Sequence, residues 1–332
     1  MAGESSLTRT YYDLATATIE NYVNSQRLFD AIFEGSKVLM DLRDRVRVVT
    51  GGERLSGGIN DKSQTAASYS GTEGLNVNIA NISTRWFLSP KLYYRSVGID
   101  GDTMTSNRGV EAFFNILEAR MSEAENAIAD KIATDICEDD GTGNSSKNID
   151  GFPAMMATTT TSGTYASINS ATNTKWRNQI DATVGSTATS FLPAMRTLYN
   201  NIMKGGMGQG GRPPNRAYTT QTVHEALEAL LYPMFRFNGG GSSAPDANLG
   251  VGDVYYKNMP ISWDPHITTT GVFYCYDDQA VELLVYRGRN FEMDDEGLQK
   301  PVNQDARIGQ VFFKGNLVCY NRTKTGKMTG LT

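Results

Sequence analysis

From residue 106 to residue 137, Val110, Phe114, Leu117, Met121, Ala124, Ile128, Ile132 and Ile136 recur at spacings of three and four. That period places them on one stripe of an α-helix. Thr105, Ser106 and Asn107 offer caps before it, and Gly141 and Gly143 stop signals after it. A helix of this length spans ~45 Å at 1.5 Å per residue. A stripe so long has to be buried along its length. A bundle would need companion helices of similar length, and the sequence offers none. Strand-rich sequence surrounds it, so the stripe is expected to lie on a sheet, as a spine.

The flanking elements support that reading. Residues 10–34 show a helical pattern in Leu14, Ala17, Val23, Leu28, Ile32 and Phe33, stopped by Gly35. "RVRVVTGG" alternates Val46 and Val48 with Arg45 and Arg47, as a half-buried strand does. From Gly51 to about Asn81 runs a polar, glycine-rich stretch too long for a routine connection. "RVRVV" before it and "ISTRWFLSPKLYYRSVGI" after it both read as strand, with Trp86 and Leu88 in phase, so an extended arm is expected to project from the body. Shorter helices are expected at 189–204 and 220–231, then a loop over Arg236–Gly250. Strands follow in "MPISW", "VFYCYD", "VELLVYRGRNF" and "ARIGQVFFKGNLVCYNR". The sheet is thus assembled from strands distant in sequence, and there are no repeats. The class is α+β.

No catalytic constellation emerges. The two histidines, His224 in a helical pattern and His266 in a turn, have no nearby cysteines, so no zinc spacing can be written. Gly206, Gly208 and Gly211 form a literal GxGxxG. A helix precedes it and Pro213 and Pro214 follow, which is the wrong context for a pyrophosphate. The acids of Glu138–Gly151 match neither a calcium loop nor a phosphate loop, and Asp139, Asp140 and Asp150 read best as a solvated turn. Glu118 and Glu125 read as the solvated face of the long helix, and no GxSxG elbow is present. No enzyme activity, cofactor or metal is expected.

Lys and Arg number 31 against 36 Asp and Glu, a net charge of −5, unlike the basic face of a dedicated nucleic-acid binder. Cys137, Cys275 and Cys319 are too few and too scattered for a disulfide framework, which suggests a reducing compartment. Neither a secretory leader nor an apolar run of the ~18 residues a membrane helix needs is found.

The ordered set of elements resembles the major capsid (coat) proteins of tailed bacteriophages, a fold shared with herpesvirus capsid floors and encapsulin shells. The resemblance covers nearly the whole chain. It is carried by "YVNSQRLFDAIFEGSKVLMDLRDRVRVVTGGERLSGGI" leading into the long loop, and by the spine "NRGVEAFFNILEARMSEAENAIADKI". It continues in "DDGTGNSSKNIDGFPAM", "YASIN" and "KWRNQI", and closes in "ARIGQVFFKGNLVCYNRTKTGKMTGL".

The resemblance implies an N-terminal arm (1–42), an E-loop hairpin with flanking strands (43–98), a peripheral domain with the spine helix (99–185 and 305–332) and an axial domain (186–304). Assembly contacts are then expected in three places. The E-loop offers Gly51, Gly52, Arg54, Leu55, Gly57, Gly58, Ile59 and Lys62. The axial loop offers Asn238, Gly239, Gly240, Gly241, Asp246 and Asn248. The spine core offers Val110, Phe114, Leu117, Met121 and Ile128.

The implied function is a major head protein of the virion, a structural protein whose homo-oligomeric pentamers and hexamers self-assemble into an icosahedral shell around packaged double-stranded DNA. It would touch that DNA without sequence specificity and no membrane at all, and would assemble in the host cytoplasm. A separate scaffolding protein, a portal protein and a decoration protein are the implied partners. Some members crosslink a lysine of this loop to a neighbour's asparagine; Lys62 is the only lysine there, and no partner can be assigned by motif. The alternative is an encapsulin-like nanocompartment shell.

Overall fold

The computed structural model describes residues 36–60, 68–73, 83–106, 110–182, 184–185, 187–205, 212–237, 254–293 and 297–331. The expected helix at 10–34, the glycines 206, 208 and 211, Lys62 and the axial loop from Asn238 to Asn248 lie outside these residues.

Two sheets organise the chain. The first has the order β1–β12–β13–β4, from β1 (Val46–Val49), β4 (Lys91–Asp100), β12 (Val281–Met293) and β13 (Ala306–Cys319). β1 runs parallel to β12, and the other two pairings are antiparallel. Alternation along β4 and β13 sends Tyr93, Val97, Val311 and Phe313 to one buried face. The long helix, Val110–Glu138, lies against that face. Leu117 and Met121 pack with Ile99, while Ala124, Ile128, Ile132 and Ile136 join the main core with Tyr93, Val97 and Phe313. The expected spine is therefore present and lies on a sheet. Val110 and Phe114 belong to it, their side chains lying outside the description. Thr105 and Ser106 do not cap it; they end a separate one-and-a-half-turn helix, Gly101–Ser106.

The second sheet runs β7–β14–β11–β8–β10–β9, from β7 (Gln179–Asp181), β8 (Arg216–Thr219), β9 (Val254–Tyr256), β10 (Met259–Trp263), β11 (Phe273–Tyr276) and β14 (Thr325–Met328). Helices Thr187–Gly205 and Gln221–Phe237 cover one face, burying Phe191, Met195, Leu198, Ile202, Val223 and Leu227 against Ala217, Phe273 and Cys275. The other face presents Tyr218, Tyr274 and Tyr276, which gather around Phe152 at centroid distances of 6.1, 5.4 and 5.6 Å. A sheet buried on both faces explains why all four residues of β11 are buried and why its sequence, FYCY, shows no alternation.

The arm's base is a hairpin of β2 (Leu55–Asn60) and β3 (Ser83–Leu88), in register from Leu55 opposite Leu88 to Asn60 opposite Ser83. The bracketing strands expected from sequence are corrected in two ways. β1 does not pair with β3; it joins β12 instead. The first hairpin strand lies inside the stretch read as polar loop. Val48 is also more open than its alternation implied, 56% exposed, because β1 is an edge strand paired only with β12. A small hairpin, β5 (Thr164–Tyr165) with β6 (Ile168–Asn169), completes the strands.

Candidate assembly surfaces

In the hairpin base, Gly51, Gly52, Arg54 and Gly58 are exposed, Leu55 is buried, and Gly57 and Ile59 are half-buried. Leu55, Trp86 and Leu88 belong to the main core, and Ile59 packs against it. Trp86 meets Tyr320 edge-on at 5.8 Å. Gly57 lies directly under the indole: a Cβ there would come 2.5 Å from the Trp86 ring. Gly52, at φ +119°, turns its carbonyl to accept a 3.0 Å hydrogen bond from Tyr286 Oη. The root of the arm is thus fixed to its own subunit. A cleft of about 720 Å³ opens beside it, lined by Gly58, Ile59, Asn60, Trp176 and Tyr320 among others.

A further surface was not foreseen from sequence. On the face of the first sheet turned away from the spine helix, Leu92 is 59% and Tyr94 68% exposed. In register with them on β13 are Lys314 and Phe312. The Arg289 guanidinium lies 4.5 Å over the Phe312 ring, and Lys314 Nζ 4.4 Å over Tyr286. Contiguous exposed apolar side chains on a folded protein mark an interaction surface. The signal in "KLYY" was present: apolar residues out of phase with Tyr93 and Val97 announce a sheet with apolar residues on both faces.

Of the candidate spine residues, Leu117, Met121 and Ile128 are buried within the subunit. The reading of Glu118 and Glu125 as one solvated face is corrected. Glu118 is exposed, but Glu125 is 2% exposed, its Oε1 has no hydrogen-bond partner, and burial pushes its carboxyl up to about 8.

The acidic turn after the spine helix is bound up in its own structure. The Asp139 carboxylate accepts from Gly141 N at 2.8 Å and Asn148 Nδ2 at 2.7 Å, Asp140 from Thr142, and Asp150 from Asn316 Nδ2. Burial raises the Asp150 carboxyl, against the hydrogen bond from Asn316 and the charge of Lys91. Among the described residues, no group of three or more His, Cys, Asp or Glu is placed to hold a metal ion. Cys137, Cys275 and Cys319 are buried and free, and burial holds each thiol above its usual range. His224 Nε2 lies 3.2 Å from the Ile261 carbonyl, across the helix–sheet contact. No helix among the described residues is long and apolar enough to cross a membrane.

An α+β subunit with a spine helix on a four-stranded sheet, a second six-stranded sheet and a hairpin rooted in the main core is the fold of tailed-phage capsid proteins and encapsulin shells. Solved structures bear this out. The chain superposes on a protein of the cyanophage A-1(L) capsid asymmetric unit with a TM-score of 0.65 at 14% identity, covering 89% of this chain and 92% of that one. It matches a chain of the satellite phage P4 procapsid, whose structure includes the size determination (Sid) protein, with a TM-score of 0.51 at 10% identity, over 100% of this chain and 98% of that one. The holo-SrpI encapsulin complex of Synechococcus elongatus matches with a TM-score of 0.52 at 7% identity, over 86% of this chain and 85% of that one. No family model and no curated protein matches the sequence.

Proposed function

We propose that this chain is the major capsid protein of a tailed bacteriophage. Copies of it self-assemble into pentamers and hexamers of an icosahedral shell that encloses packaged double-stranded DNA. The observation that carries this reading is the near-complete superposition on a phage capsid subunit, 89% of this chain on 92% of that one. The exposed Leu92–Tyr94 face adds to it, because a subunit made to be covered keeps an apolar face open. Many modest contacts in a closed symmetric lattice add up to a stable shell.

In this reading the chain is a structural protein with no catalytic role, located in the virion. Residues 1–42 are its arm, 43–98 its E-loop and flanking strands, 99–185 with 305–332 its peripheral domain and 186–304 its axial domain. The E-loop, whose sequence includes Lys62, lies over a neighbouring subunit. Asn238, Gly239, Gly240, Gly241, Asp246 and Asn248 line the centre of each ring. A separate scaffolding or size-setting protein assists assembly, in keeping with the Sid-bearing procapsid, and portal and decoration proteins complete the head. The net charge of −5 suits a wall that does not grip the genome it encloses.

The encapsulin match, at the lower TM-score of 0.52, supports a second reading as a nanocompartment shell. Negative-stain microscopy of purified protein separates the two. Phage-sized shells support the first reading, small closed shells the second, and the absence of shells contradicts both.

A further inference from the structure

The loop that follows β10 touches three separate parts of the molecule. Asp264 has no exposed side-chain surface, and its two oxygens accept four hydrogen bonds. Oδ2 takes Ser36 Oγ at 2.6 Å and the Val38 N–H at 2.9 Å. Oδ1 takes the His266 N–H at 2.9 Å and the His266 ring Nδ1 at 2.8 Å. The other ring nitrogen, Nε2, stands 2.9 Å from Oδ1 of Asp130 on the spine helix. Ionised carboxylates only accept, so each ring nitrogen must carry a hydrogen for both contacts to be hydrogen bonds. A neutral imidazole carries one hydrogen; the imidazolium carries two.

The junction is well placed to couple parts of the fold. Asp264 directly follows β10, which lies between β8 and β9 in the six-stranded sheet. Asp130 belongs to the helix on the four-stranded sheet. Ser36 is the N-cap of the helix Lys37–Arg43, where residues 1–35 join the body. A second contact lies two turns along the spine helix, where the Glu138 carboxylate accepts from the Thr268 and Thr269 N–H groups at 2.6 and 2.8 Å. That contact keeps its donors at any pH. The first one does not.

We propose that His266 is a pH-dependent latch, whose imidazolium ties the six-stranded sheet to the spine helix and, through Asp264, to the root of the N-terminal segment.

The charges around the ring favour the closed form. Its own loop supplies Asp264, and the spine helix supplies Asp130 and, further off, Glu138. Lys131, next to Asp130, is engaged by Asp135 at 2.6 Å. On the root helix, Lys37 is engaged by Asp41, which also pairs with Arg216 of β8. Cys137, close to Asp264, is held as a neutral thiol by burial. Burial alone would favour the neutral ring, but the hydrogen bonds to Asp130 and Asp264 outweigh it and raise the His266 pKa. The latch therefore contributes fully below the ordinary histidine value of ~6.5. Its contribution is lost as pH rises through the higher folded value. In a shell subunit, alkaline conditions would weaken the tie between the two sheets, leaving the Glu138 contact to hold the loop on the spine helix.

The chain has two histidines, so ring NMR signals of the soluble subunit can be followed directly, with His224→Gln as the assignment control. The measurement stands whether or not shells form. The expected result is a His266 midpoint above ~6.5, with both nitrogens protonated below it. Asp130 is 75% exposed, so Asp130→Asn leaves the fold intact, and it should lower the midpoint by about one unit. The thermal midpoint of the wild type should fall between pH 6 and pH 9 relative to that of His266→Gln. A His266 midpoint at or below ~6.5, or one that Asp130→Asn leaves in place, overturns the latch.

Discussion

Replacing Glu125 with methionine should stabilise the subunit, and by an amount that depends on pH. Methionine keeps the length of the side chain and its helix propensity and removes the charge. Glu125 faces the core with one oxygen unpartnered, and its carboxyl is raised from 4.5 to about 8 by burial. A raised carboxyl keeps its proton in the folded state while the unfolded chain releases it. Stability is therefore fully present below 4.5, falls through the interval, and is lowest above 8. Each unit is worth ~1.36 kcal/mol, so the burden on the wild type is on the order of 4 kcal/mol at pH 7.5 and under ~1 kcal/mol at pH 5. Urea unfolding of wild type and Glu125→Met at the two pH values measures it. The variant should gain a few kcal/mol at pH 7.5 and almost nothing at pH 5. Equal loss of stability at both values would show that the carboxylate has a partner and would refute the reasoning.

Other perturbations test other parts of the account. Gly57→Val drives a side chain into the Trp86 indole and should cost about 1–3 kcal/mol of overpacking strain, read as a lower thermal midpoint with the hairpin opened to protease. Ile128→Asp buries a carboxylate in the spine core at a cost of several kcal/mol and should give insoluble protein; soluble, assembling protein would place the stripe in solvent. Replacing residues 61–82 with a two-residue Asn-Gly turn leaves β2 and β3 paired; the subunit should keep its circular dichroism and lose shell formation. Replacing Gly239, Gly240 and Gly241 with prolines should yield tubes or aberrant particles from a normally folded subunit, and regular shells would reduce that loop to a passive one.

The spine helix was legible because eight turns of a 3.6-residue period leave no rival reading, and its sheet followed from the lack of any partner helix. Strand β2 was not, because Gly57 and Gly58 make "LSGGIN" look like loop; only the Trp86 ring, some thirty residues on, explains why a strand holds glycine there. Glu125 looked solvated because it pairs with Glu118 on the same helix; burial depends on what packs above the helix, which local spacing does not encode. Leu92 and Tyr94 are readable in "KLYY" as apolar residues out of phase with Tyr93. The His266 junction could not be read at all, because the ring and Asp130 are 136 positions apart and neither stands in a motif.

A reconstruction of the assembled particle tests the central claim most directly. The account predicts a closed shell of five- and six-membered rings in which residues 61–82 of each copy lie over a neighbouring subunit and the Leu92–Tyr94 face is covered by assembly. Purified protein that stays monomeric and never closes, or particles in which that face remains open to solvent, would contradict it.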